Sequence, residues 1–130
     1  MIQLCYISTI RSGVDLDAVD AVLAASRRNN AADRITGLLL FNGKRFLQIL
    51  EGAAPMVEVT YARVLRDPRH FAIVRLSDRR IDEREFGRWD MAFERLPAET
   101  GQQAMLDKVT AMTRTASPSV KALFTSYAAI

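Results

Sequence analysis

The sequence predicts an α+β fold in which one mixed sheet carries two helices on one face, and three observations predict it. Runs of branched and aromatic residues at 2–8, 35–41, 45–51 and 71–76 read as strands. Segments with apolar residues three and four apart lie between the first and second runs and between the third and fourth. The dipeptide Asn42-Gly43 is a strong hairpin signal between the second and third. The resulting order, β-α-β-β-α-β, is the split βαβ or ferredoxin-like arrangement. A further strand and two C-terminal helices follow it.

The first strand, IQLCYIS, is broken by Ser12-Gly13. Asp15 suits an N-cap, and Leu16, Val19, Val22, Leu23 and Ser26 then recur at helical spacing, with an expected end near Asn29-Asn30. ITGLLLF at 35–41 is the second strand. The third, 45–51, is apolar on both faces and therefore central. Gly52 closes it, and Pro55 suits the first turn of a second helix. That helix has Val57, Tyr61, Val64 and Leu65 as its apolar stripe and Asp67-Pro68 as its stop. Phe71 to Leu76 is the fourth strand. Trp89 to Phe93 is a fifth, with Trp89, Met91 and Phe93 on one face. After Pro97, residues 100–113 and 118–129 read as two helices parted by Ser117-Pro118. They are expected to cover the sheet's second face or to dock a partner subunit.

The chain has 130 residues, 49% apolar and 25% charged, which suits one domain with a real core. No run approaches the ~20 apolar residues of a membrane span, and MIQLCYIST lacks the pattern of a secretory signal. One cysteine, Cys5, excludes an internal disulfide and any multi-cysteine metal site. A cytoplasmic protein is expected. The net charge is +3, with fifteen arginines among eighteen basic residues. The charges are interspersed, and DRRIDEREFGR at 78–88 reads as a solvated, ion-paired surface, so nucleic acid is not the expected partner. With one His and one Cys, and with no phosphate loop or nucleophile elbow, no metal site or catalytic constellation emerges.

One residue breaks the pattern. In FLQILEG, at 46–52, Gln48 places a primary amide inside an apolar run. Left unpartnered it would cost at least ~1–3 kcal/mol. Tyr6 lies mid-strand in the first strand, which neighbours the third in a split βαβ, so Tyr6 and Gln48 can meet. Ser26, Asn29 and Asn30 share a face at the end of the first helix, and Arg63 and Asp67 are four apart on the second. If both helices pack over Tyr6 and Gln48, a slot opens with walls of Val22, Val64, Ile35 and Phe46. Its rim carries amides, a guanidinium and a carboxylate, as expected for a planar heterocycle. Simpler accounts exist for most of these residues: Asn29-Asn30 as a helix C-cap, Arg63 and Asp67 as a surface pair, His70 as a strand-entry residue donating to a carbonyl, and Cys5 as core. Gln48 has none.

Together, SRRNN at 26–30, ITGLLLF at 35–41, FLQILEG at 46–52, RVLRDPRH at 63–70 and FGRWDMAF at 86–93 resemble the BLUF family of flavin-binding blue-light sensors. The similarity runs from about residue 2 to residue 95. The resemblance implies a photosensory domain over 1–96 and a helical extension over 97–130. It implies FAD as chromophore, with FMN or riboflavin also compatible, held between the two helices. Tyr6 and Gln48 match the photochemical pair, Asn29 and Asn30 the contacts to the ring's polar edge, and Arg63, Asp67 and His70 the ring-edge and ribityl surroundings. Ser26 matches a residue beside the ring, and Trp89 and Met91 the pair on the last strand.

In the family's mechanism Tyr6 gives an electron to the excited flavin, a proton follows through Gln48, and the radical pair recombines with no net redox change. The amide is left rotated or tautomerised, and the absorption shifts to the red. The resemblance thus implies a receptor and not an enzyme, with output through the last strand and C-terminal helices to an unidentified effector. Apolar helices over an otherwise bare sheet face suggest a homo-oligomer. The alternatives are a ferredoxin-like nucleic-acid-binding module, an acylphosphatase-type enzyme, for which no anion loop is visible, and a flavin redox protein active in the dark.

Overall fold

A computed structural model describes residues 1–87, 92–95 and 102–128. In chain order the elements are β1 (Ile2–Ile10), α1 (Leu16–Ala32), β2 (Thr36–Phe41), β3 (Arg45–Gly52), α2 (Ala54–Arg66), β4 (His70–Arg80), β5 (Ala92–Arg95), α3 (Gln102–Met112) and α4 (Pro118–Ala128). The sheet order is β4-β1-β3-β2-β5. All neighbours are antiparallel except β2 and β5. The expected ferredoxin-like α+β architecture is therefore present, with β1 and β3 paired at its centre.

Local chemistry accounts for the turns. Asp15 caps α1 by accepting from Ala18 N at 2.7 Å, satisfying a donor the first turn leaves open. Between β2 and β3 the Asn42 side chain accepts from Lys44 N and Arg45 N at 3.1 and 2.8 Å. Gly43 takes φ +93°, which a side chain would resist. A side chain at Gly52 would crowd Ile35 Cδ1 at 3.1 Å and Arg34 O at 3.2 Å, so β3 must end on a residue without one.

Strand alternation splits the core in two. On one face Leu4, Tyr6, Leu39 and Leu50 meet Val19 and Leu23 of α1 and Val57 and Tyr61 of α2. On the other, Cys5, Leu38, Leu40, Leu47 and Ile49 meet Val109 of α3 and Val120, Phe124 and Tyr127 of α4. Thus α3 and α4 cover the face whose exposure would have favoured self-association.

Several boundaries differ from expectation. The helix α1 continues to Ala32, with Asp33 as its C-cap. Asn29 and Asn30 are thus its last turn and not a cap, and Arg34, at φ +55°, takes the left-handed position. Leu65 faces solvent at 52% exposure. The strand β4 extends to Arg80 because it pairs with β1 from Ile10↔His70 to Ile2↔Arg80. Two register irregularities in that ladder scramble the alternation that reveals a strand in sequence. Trp89 and Met91 lie outside the described residues. Gly87 ends the described part of the loop before β5, and that strand is described over Ala92–Arg95.

Candidate functional site

Tyr6 and Gln48 are direct cross-strand partners on β1 and β3. The Tyr6 hydroxyl donates to Gln48 Oε1, and the two residues are 3% and 5% exposed. Burial, and after it Tyr61, Cys5 and Asp67, push the Tyr6 phenol well above the ordinary tyrosine value. The hydroxyl therefore keeps its proton across the physiological range. The Tyr61 ring lies 5.6 Å from that of Tyr6.

This pair forms one wall of a cavity of about 570 Å³ between α1, α2 and the sheet, within the usual size range of ligand sites. Ten of the residues singled out in the sequence border it: Tyr6, Ser26, Asn29, Asn30, Phe46, Gln48, Arg63, Val64, Asp67 and His70. Asn30 is buried and Asn29 exposed. Ile35 does not border it; fully buried, it packs under Gly52 and Val57 in the core. Val22 lies on α1.

Two polar expectations change in detail. Arg63 and Asp67 do not pair with each other. Arg63 reaches Asp33 at 3.6 Å, and the Asp67 carboxylate takes the Arg69 guanidinium through Nε and Nη2, both at 2.8 Å. Partial burial opposes the Asp67 charge, but the Arg69 side chain and backbone bonds win and hold its pKa below the usual value. His70 opens β4, as expected. Its Nε2 lies 2.7 Å from Val64 O and its Nδ1 2.7 Å from Ser8 Oγ. A carbonyl only accepts, so Nε2 carries the proton and Nδ1 accepts from Ser8 in the neutral ring. His70 thereby ties α2 to β1, with Phe46 edge-on at 6.2 Å.

Sequence reasoning missed Thr60. It borders the cavity, and its hydroxyl is buried without a hydrogen-bond partner among the described residues. A mid-helix threonine ordinarily bonds back to the preceding turn, so this hydroxyl fits a ligand with a polar edge. Its spacing of three and four from Arg63 and Val64 was the available signal. The charge run at 78–88 was also misread in part: Arg79, Arg84 and Glu85 are bonded into the end of the sheet.

Fold and site together define an α+β module with a mostly apolar slot, a hydrogen-bonded phenol–amide pair on its wall and amides at one helix end. The chain belongs to the BLUF family: residues 1–92 match the family model described as sensors of blue light using FAD. It is 36% identical over 88 residues to the blue light- and temperature-regulated antirepressor BluF of Escherichia coli K12, covering 68% of this chain and 22% of that protein. It is 32% identical over 83 residues to the photoactivated adenylate cyclase subunit beta of Euglena gracilis, covering 64% and 10%. The chain therefore spans about a fifth of the antirepressor's length and a tenth of the cyclase subunit's. Among solved structures, Klebsiella pneumoniae BlrP1 with FMN and cyclic diGMP superposes with a TM-score of 0.83 at 27% identity, over 98% of this chain and 34% of that one. The dark-state BLUF protein BlrB gives 0.75 at 26% identity, over 98% and 95%. The alternatives of a nucleic-acid module and a flavin redox protein active in the dark are not favoured.

Proposed function

We propose that this blue-light sensor holds FAD in the cavity between α1 and α2 and reads its excitation through Tyr6 and Gln48. The observation that carries this is the buried Tyr6–Gln48 hydrogen bond on the cavity wall. FAD follows the family description; FMN and riboflavin carry the same ring and are compatible with the same walls.

When bound, the flavin supplies blue-light absorption and, once excited, an oxidant for a neighbouring phenol. Tyr6 would be the donor: buried and protonated, it would give an electron to the excited ring and its proton to Gln48, and both would return to the Tyr6 oxygen when the pair recombines, leaving no net redox change. The amide answers by rotation or tautomerisation. Its oxygen and nitrogen ends have nearly the same shape and opposite hydrogen-bonding sense, and a phenol can donate to one or accept from the other. Asn30 and Asn29 would hold the ring's polar edge, Thr60 would add a hydroxyl, and Ser26, Phe46 and Val64 would flank the ring, with Val22 of α1 a further candidate. Arg63 and Asp67 would meet the ring edge and the ribityl chain, with His70 nearby. Trp89 and Met91 would receive the change and pass it on.

The reading extends to output. The segment 97–130 passes the signal to a separate effector, by contact and without turnover, so the chain works as a receptor in the cytoplasm. Phe71, Val74 and Leu76, exposed by 41–52% along β4, support a homo-oligomer.

The test is an absorption spectrum of the purified protein in darkness and after blue light. A flavin spectrum that shifts red and reverts in the dark is expected. Gln48→Leu and Tyr6→Phe should stay yellow and lose the shift. A flavin spectrum without a shift would point to dark redox chemistry, and a colourless protein that refuses FAD would overturn the cofactor assignment.

A further inference from the structure

Four strands contribute to one polar row on the face covered by α3 and α4. Thr36 of β2, Glu51 of β3, Gln3 of β1 and Arg79 of β4 are consecutive cross-strand partners. Glu51 is fully buried. Its carboxyl group accepts from Gln3 Nε2 at 2.9 Å and Thr36 Oγ1 at 3.2 Å. It also accepts from two successive backbone amides of the loop at 81–87, Glu85 N at 2.8 Å and Phe86 N at 2.9 Å. Arg84 of the same loop donates to Thr36 Oγ1, Glu51 O and Arg34 O at 2.7, 3.0 and 2.8 Å.

The loop is bonded in turn to the start of α4. Glu85 Oε2 accepts from Ser117 N and Gln3 Nε2, both at 3.1 Å, and its carbonyl accepts from Thr115 Oγ1 at 3.0 Å. Arg79 Nη2 bridges Glu85 and Ser117. Ser117 Oγ meets Val120 N at 3.4 Å, and Ser117 O accepts from Lys121 N at 3.0 Å, the first turn of α4. Phe86 is driven into the core, its ring 6.4 Å from that of Phe124.

We propose that Glu51 is a positioning residue that fastens loop 81–87, and through Glu85 the first turn of α4, to the strand that carries Gln48. Gln48 and Glu51 lie three residues apart on opposite faces of β3, so a displacement of that backbone reaches both. Direct bonds from Glu51 to Glu85 to Ser117 then link it to α4 without passing through β5. The light-dependent part rests on the switch proposed above; the clamp itself exists in the dark.

Backbone hydrogen–deuterium exchange of the flavin-loaded protein, dark and illuminated, tests it. In the native protein, Glu85 and Phe86 amides should exchange at least about tenfold more slowly than those of the exposed Asp82 and Glu83 of the same loop. In Glu51→Gln one end of the new amide must face N–H donors. Exchange at Glu85, Phe86 and Ser117 should rise at least about tenfold, the flavin spectrum and its light shift should persist, and any light-induced change at 117–121 should vanish. Glu85→Gln should speed Ser117 while leaving Glu85 and Phe86 slow, which keeps the test open if Glu51→Gln does not fold. Fast Glu85 and Phe86 amides in the native protein would overturn the clamp. So would a Glu51→Gln protein with native exchange, or one that still transmits the light change to α4. A native protein whose spectrum does not shift would reject the switch while leaving the dark comparison decisive for the clamp.

Discussion

Two glutamines sit in the middle of the sheet, and their surroundings are opposite. Gln3 Nε2 donates to Glu51 and Glu85, while its Oε1 accepts from Arg79 Nε at 3.0 Å. Turning that amide over would set oxygen against acceptors and N–H against a guanidinium, so its orientation is locked by its partners. Gln48, on the other face, meets a phenol, and a phenol can donate or accept. The row of Arg75, Tyr6, Gln48 and Leu39 borders a cavity through three of its members; the row of Arg79, Gln3, Glu51 and Thr36 is closed by a loop. One amide meets partners that fix its sense and the other a group that can play either part, and only the chemistry of the neighbours distinguishes them.

Replacing each glutamine by leucine should break the comparison open, with the largest effect at Gln3. Gln3→Leu removes one hydrogen bond from each of Glu51, Glu85 and Arg79, and hydrogen bonds to charged groups are worth ~1.5–3 kcal/mol each. A stability loss of about 3 kcal/mol is expected in urea denaturation, with the light shift retained. Gln48→Leu leaves the Tyr6 hydroxyl wanting, for about 1–2 kcal/mol, and should abolish the light shift. If Gln3→Leu also lost the shift at unchanged flavin occupancy, the two rows would not be separable.

Much of this was legible in the sequence, and the failures have physical causes. The Asn42-Gly43 turn, the Asp15 cap and the periodicities of α1 and α2 are local signals, and the element order followed from them. Gln48 stood out because an amide in an apolar strand demands a partner. The Glu51 row did not stand out, because its partners are 48, 34 and 15 residues away and an acid before Gly52 looks like a strand end. Arg79, Arg84 and Glu85 read as surface for the same reason: alternating charge in sequence says nothing about which carboxylate a loop will fold onto. The β4 boundary was lost to bulges, which remove the period of two.

Alkaline pH sharpens the contrast between the faces. Cys5 points away from Tyr6, into the core beneath α4, and burial pushes its thiol from about 9 up to about 12. An unfolded chain ionises that thiol first, so the stability it contributes is complete below about pH 9 and is lost as pH rises toward 12. The slope is about 1.4 kcal/mol per pH unit at most. Cys5→Ala should remove this contribution, most visibly between pH 9 and 10, before the buried Tyr6 and Tyr127 phenols, also raised by burial, add losses of their own, while leaving the light shift intact. A profile of the same slope in Cys5→Ala would place the loss elsewhere.

The smallest expected effect has the most informative sign. Thr60→Val exchanges the buried, unpartnered hydroxyl for a methyl group of the same shape. In protein stripped of flavin the change removes a desolvated polar group, so the thermal midpoint should rise, by an amount equivalent to less than ~1 kcal/mol. With flavin bound, the same change should remove a hydrogen bond to the ligand and weaken affinity by about three- to tenfold, since a net bond is worth ~0.5–1.5 kcal/mol. Opposite signs in the two states would show that the hydroxyl is reserved for the ligand. A stabilisation that persists with flavin bound, at unchanged affinity, would make Thr60 a packing defect of α2 and leave the polar edge of the ring to the asparagines alone.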